Sequence, residues 1–172
     1  MGRIPELCTY YISLIRCVAM INQNSHWMAK GKNSYGSHLL FERIYNNANS
    51  DADAAVERFI GLWGNDALDL HMQAQIIGKT LEEFAGDDPL EMSLKMEERF
   101  LEFADKFYKI LEQEDALTLG LEDLLPSISS NRENSCYLLR QAMNDAPSKD
   151  DEYNDVNYKM AARKKLLKRI KI

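Results

Sequence analysis

The chain contains three histidines, and two of them lie on either side of a short predicted turn. His26 is near the end of the first predicted helix and His38 is near the start of the second, with Gly31 between them. If these helices are antiparallel neighbours, the two imidazoles approach each other. Glu42 follows His38 by four residues and therefore lies on the same helical face. Two imidazoles with carboxylates form a ligand set for a transition metal such as Fe(II), Mn(II) or Zn(II).

Two further carboxylates lie on one face of the second predicted helix. Asp53 and Glu57 are four residues apart, but Asp53 is 15 residues beyond His38. That separation corresponds to about 22 Å along a straight helix, so one helix cannot bring both residues to one metal. The site closes only if a second, antiparallel copy of the chain supplies Asp53 and Glu57. The spacing therefore predicts either a two-fold dimer with shared metal sites or no site at all.

The pattern argues against a di-iron carboxylate site inside one bundle. Such a site needs Glu-x-x-His on two helices, and none of the three histidines has a glutamate three residues before it. His71, the remaining histidine, is expected to have a structural or surface role.

Apolar residues recur at helical spacing over four long segments. The predicted helices span about 5–30, 33–64, 87–114 and 118–144, with a short helical segment near 70–84. The stripe on the second helix is formed by Phe41, Tyr45, Ala48, Ala52, Ala55, Phe59 and Leu62. Pro126 predicts a late start or a kink in the last helix. Two helix pairs joined by a longer connection predict an all-α, ferritin-like four-helix bundle with one crossover.

Composition predicts an intracellular protein that needs no disulfide bond or metal ion in order to fold. The chain has 172 residues, 45% hydrophobic and 28% charged, which is enough to bury a full core. Three scattered cysteines suit a reducing cytoplasm, and Arg16 interrupts the most apolar stretch, so we expect no membrane partner.

Charge divides the chain into a body, residues 1–147, and a tail, residues 148–172. The net charge is −6, which excludes a generally basic nucleic-acid binder. The segment 159–172, however, holds seven basic residues and no acid. It predicts a C-terminal basic helix or flexible tail that binds DNA, although folding back on the acidic body is a comparable alternative.

One continuous pattern joins these residues. The run HWMAKGKNSYGSH at residues 26–38, continued by DAAVER at residues 53–58, resembles the ferroxidase signature of the Dps family, the miniferritins or DNA-binding proteins from starved cells. Its spacing is His-x11-His-x14-Asp-x3-Glu, and the resemblance covers about residues 5–146. This chain departs from the family pattern at Glu42, where an aspartate is usual.

The resemblance implies a hollow dodecamer of four-helix subunits with a short extra helix in the central connection. It also implies a ferroxidase, a cytoplasmic enzyme that oxidises Fe(II) with hydrogen peroxide, stores ferric iron and protects DNA. His26 and His38 would be ligands from one subunit, with Asp53 and Glu57 from its two-fold mate and Glu42 reaching a second iron. The alternative is a DNA-compacting or structural shell whose metal site is weak or vestigial.

Overall fold

The chain folds as a bundle of four long helices. The computed structural model describes residues 3–30, 34–84, 86 and 88–143. Its helices are α1 (Arg3–Met28), α2 (Ser34–Trp63), α3 (Leu70–Glu83), α4 (Pro89–Gln113) and α5 (Leu119–Ala142), with one 3-10 turn at Asn65–Ala67. Helices α1, α2, α4 and α5 pack against each other, and the short α3 lies in the connection between α2 and α4. The predicted all-α, ferritin-like architecture is confirmed, whereas the predicted tail, residues 148–172, lies outside the described residues.

Side-chain caps explain where the later helices begin. Asp88 accepts hydrogen bonds from the backbone N–H groups of Leu90 and Glu91, and Pro89 occupies the first turn of α4. Thr118 caps α5 in the same way. Helix α5 then continues through Pro126, so the start after this proline that the sequence allowed is excluded.

Helix α1 is the central element of the bundle. It contacts α2, α3 and α4, and thirteen of its residues are buried. By length and composition alone α1 is apolar enough to cross a membrane, but most of the relevant stretch is covered by the rest of the fold. A core helix that is buried against three neighbours has this same composition.

Aromatic rings fix α1 against α2 and α4. Tyr11 lies 4.9 Å from Phe100 and 5.6 Å from Phe59, measured between ring centroids, in edge-to-face geometry. All three rings are almost completely buried. Burying each such side chain contributes about 2–3 kcal/mol. This core sets the antiparallel pairing of α1 and α2, which places the end of α1 beside the start of α2.

Candidate metal centre

His26 and His38 form a reciprocal pair where α1 ends and α2 begins. The Nδ1 atom of each ring lies 3.0 Å from the backbone carbonyl oxygen of the other histidine. The rings stack with centroids 3.6 Å apart and planes inclined by 25°. The predicted approach of the two imidazoles is therefore confirmed, while their role as metal ligands stays a prediction.

These hydrogen bonds settle which ring nitrogen is available. A carbonyl oxygen can only accept, so each Nδ1 must carry the proton and donate it. In the neutral imidazole, the Nε2 atom then keeps its lone pair. Metal-binding histidines usually donate their second N–H to a carbonyl or carboxylate, which fixes ring orientation and raises ligand basicity. Both histidines are half-buried.

Tyr45 supports one ring of this pair, a role that the sequence did not indicate. Periodicity places Tyr45 on the apolar stripe of α2, but its ring contacts His26, with centroids 5.5 Å apart and planes at 80°. Tyr45 follows His38 by seven residues, or two helical turns, and so lies on the same side of α2. That spacing was the only signal in the sequence that could have found it.

The candidate carboxylates are divided between two places. Glu42 is half-buried one turn beyond His38, whereas Asp53 and Glu57 are exposed much farther along α2. Among the described residues, no group of three or more His, Cys, Asp or Glu side chains could hold a metal. One copy of the chain therefore presents half of the predicted ligand set at each of two positions, and only a second copy can bring the halves together.

A second polar cluster lies in the centre of the bundle, and sequence reasoning missed it. The Arg132 side chain is completely buried, with Nη1 3.3 Å from Glu97 Oε1 and Nη2 3.2 Å from Asp51 Oδ2. Asn131 donates a further hydrogen bond to Asp51. We call Asp51, Glu97 and Arg132 the core triad. It joins α2, α4 and α5. In the sequence, Arg132 is 35 residues from Glu97 and 81 residues from Asp51.

The core triad carries fewer full charges than its composition suggests. Burial raises the pKa of Glu97 to about 8, against the opposing effect of Arg132, so this carboxyl is mostly protonated at neutral pH. Burial also raises the pKa of Asp51, while Arg132 and the hydrogen bond from Asn131 lower it. The Arg132 guanidinium is a completely buried cation within this cluster, and its charge would repel a metal ion there.

The other candidate residues have ordinary partners. His71 is exposed and shares a 3.0 Å hydrogen bond with Gln75, as expected for a surface histidine. The three cysteines are free and buried, and burial raises the pKa of the Cys17 thiol to about 11. A thiol with this pKa stays protonated at neutral pH and is a poor metal ligand.

Comparison with known proteins supports the fold. No protein-family model matches the chain, and no curated protein matches it in sequence. The X-ray structure of Dps from Thermosynechococcus elongatus superposes with a TM-score of 0.71. The match covers 86% of this chain and 93% of that chain at 16% sequence identity. Because the match extends over both chains almost in full, this chain has the Dps fold, a ferritin-like bundle of four long helices with a short helix in its central connection.

Proposed function

We propose that the protein is a Dps-type miniferritin that oxidises Fe(II), with hydrogen peroxide as the oxidant, at sites shared between two chains. The observation that carries this proposal is the reciprocal His26–His38 pair, in which each Nδ1 is hydrogen-bonded to a backbone carbonyl, so that Nε2 is the ring nitrogen left to bind a metal. The Dps fold supports the same conclusion.

The proposed residues divide the chemistry between nitrogen and oxygen ligands. His26 and His38 of one chain bind Fe(II) through Nε2, and Asp53 and Glu57 of a second chain supply negative charge that favours Fe(III). Glu42, one turn beyond His38, reaches a second iron in this proposal. Each peroxide takes one electron from each of two Fe(II) ions, its O–O bond breaks, and the resulting hydroxides enter the ferric product. Stored ferric iron then cannot react with peroxide near DNA.

The surface around the histidine pair favours a second chain at this place. Trp27, Met28 and Leu39 are 68%, 57% and 43% exposed, and each lies within two residues of a candidate histidine ligand in the sequence. Large apolar side chains grouped on a surface mark an interaction site. A two-fold copy that covers them would also bring its own Asp53 and Glu57, and repeated contacts of this kind build a closed shell, which we propose to contain twelve chains.

The first test measures assembly and iron oxidation on the unmodified protein. Sedimentation velocity at micromolar concentration should show one large closed species rather than a 19.8 kDa monomer. Anaerobic addition of Fe(II) followed by peroxide should then produce ferric absorbance faster than in protein-free buffer. A stable monomer, or ferric absorbance at the background rate, contradicts the proposal.

A second candidate function, DNA binding in the cytoplasm or nucleoid, is favoured by the basic tail. The segment 159–172 holds seven bases and no acid, and a shell would present many copies of it to one polyanion. Truncation after Pro147 should abolish a DNA mobility shift at low salt and leave iron oxidation unchanged. Equal DNA binding by the truncated and full-length chains would show that the tail is not the DNA-binding element. If the full-length protein shifts DNA but oxidises no iron, the protein is a DNA-compacting shell with a vestigial metal site.

A further inference from the structure

The two histidines of the reciprocal pair are held unequally. His38 and His26 each have one bound Nδ1 and one stacked ring face, but His26 has an additional ring contact with Tyr45. We propose that Tyr45 is a positioning residue, which fixes the plane of the His26 imidazole and so directs its Nε2 toward the metal. This inference rests on the proposed function and adds a residue to it.

The geometry explains why His26 needs this support. The torsion that rotates an imidazole about its bond to Cβ is broad and poorly defined by rotamer preference. One hydrogen bond from Nδ1 fixes a point on the ring but permits rocking about it. Stacking on His38 restricts that motion in one direction, and a ring at 80° restricts it in another. With both contacts the direction of the Nε2 lone pair is determined.

The position of Tyr45 on α2 makes its contact with His26 stable. Ile44, its neighbour in the sequence, is buried in the core with 1% exposure, which anchors this turn of α2 against the bundle. Tyr45 is half-buried beside it, and its ring forms part of the contact between α1 and α2. The aromatic ring, rather than the hydroxyl, makes the recorded contact, and phenylalanine should therefore replace tyrosine without loss.

The test compares Co(II) binding, which reports ligand geometry without turnover. The assembled protein is titrated anaerobically with Co(II), and both affinity and the visible absorption spectrum are recorded. Tyr45→Leu should weaken Co(II) binding about threefold to tenfold and change the spectrum, since an edge-to-face contact and a ligand-orienting contact have effects of this size. Tyr45→Phe should match the wild type. Tyr137→Leu, a change at an exposed tyrosine on α5, is the matched control.

A double-variant cycle separates positioning from general loosening of the structure. If Tyr45 acts through His26, Tyr45→Leu should have no further effect on Co(II) affinity in a His26→Ala background. Additive losses overturn the inference, as does wild-type binding by Tyr45→Leu or equal weakening by Tyr45→Phe. If the Tyr45→Leu protein does not assemble, Tyr45→Met takes its place, because methionine is flexible and has no ring. The expected results are the same. Failure of His26→Ala itself to weaken Co(II) binding contradicts the proposed site instead.

Discussion

Chains carrying His26→Ala, when co-expressed with chains carrying Asp53→Ala, should oxidise Fe(II) at about a quarter of the wild-type rate per chain. Each variant alone should lose at least about tenfold, because each removes a metal ligand from every site. The recovery arises from the two-fold arrangement. In a mixed pair of chains, one site combines an intact His26 with an intact Asp53, and the other site contains both lesions. About half of randomly formed pairs are mixed, and half of their sites are intact.

A matched mixture shows whether this recovery depends on sharing between chains. Co-expression of His26→Ala with His38→Ala places both lesions in the histidine half of the site, so every site in every pair lacks one ligand. That mixture should remain at the level of the single variants. Recovery in this control, or no recovery with His26→Ala and Asp53→Ala, would show that the metal site is not divided between chains as proposed. The second result would favour a site that is complete within one chain.

The four-helix bundle and the approach of His26 and His38 could be predicted from the sequence, because both depend on local signals. Helix limits follow from local signals such as the cap at Asp88 and the apolar periodicity, which act within a few residues. His26 and His38 are joined by a short connection, so once α1 and α2 are antiparallel their approach is determined. The positions of Asp53 and Glu57 follow from helical rise alone.

The core triad could not be predicted in the same way because its members meet only through tertiary packing. One signal was present in the sequence. Arg132 follows Ile128 by four residues and precedes Leu139 by seven, so a charged residue stands in register with the buried stripe of α5. Glu97 precedes Phe100 by three residues and so also lies in register with the buried stripe of α4. Periodicity shows that each charge faces inward, but not that they face one another. The Tyr45 contact was missed for a similar reason, since it depends on the rotation of α2 about its own axis.

The core triad leads to the largest expected effect on stability. Arg132→Leu should lower the free energy of unfolding by about 3–5 kcal/mol, because it leaves the Asp51 carboxylate without a counter-charge and the buried Glu97 carboxyl without its hydrogen-bond donor. Urea unfolding followed by far-UV circular dichroism measures the change. Arg140→Leu is the matched control, since Arg140 also lies on α5 and pairs with a glutamate of α4, Glu98, at 2.7 Å, but at the surface. Exposed pairs contribute about 1 kcal/mol or less, so this control should unfold close to the wild type.

The dependence of this loss on pH identifies its cause. Loss of the guanidinium raises the pKa values of both carboxyls further, since Arg132 is the largest of the effects that lower them. A carboxyl whose pKa is raised in the folded state destabilises the protein increasingly as pH rises toward that pKa. The difference between Arg132→Leu and wild type should therefore be smallest in mild acid and should grow as pH rises through the wild-type pKa of Glu97, about 8, because above it the wild type carries a charge that the variant cannot stabilise. Adding Glu97→Gln should recover part of the loss above about pH 8, because it removes the acid that would otherwise have to be charged there without a partner. A loss that is equal at all pH values and unaffected by Glu97→Gln would assign the role of Arg132 to packing volume rather than to charge.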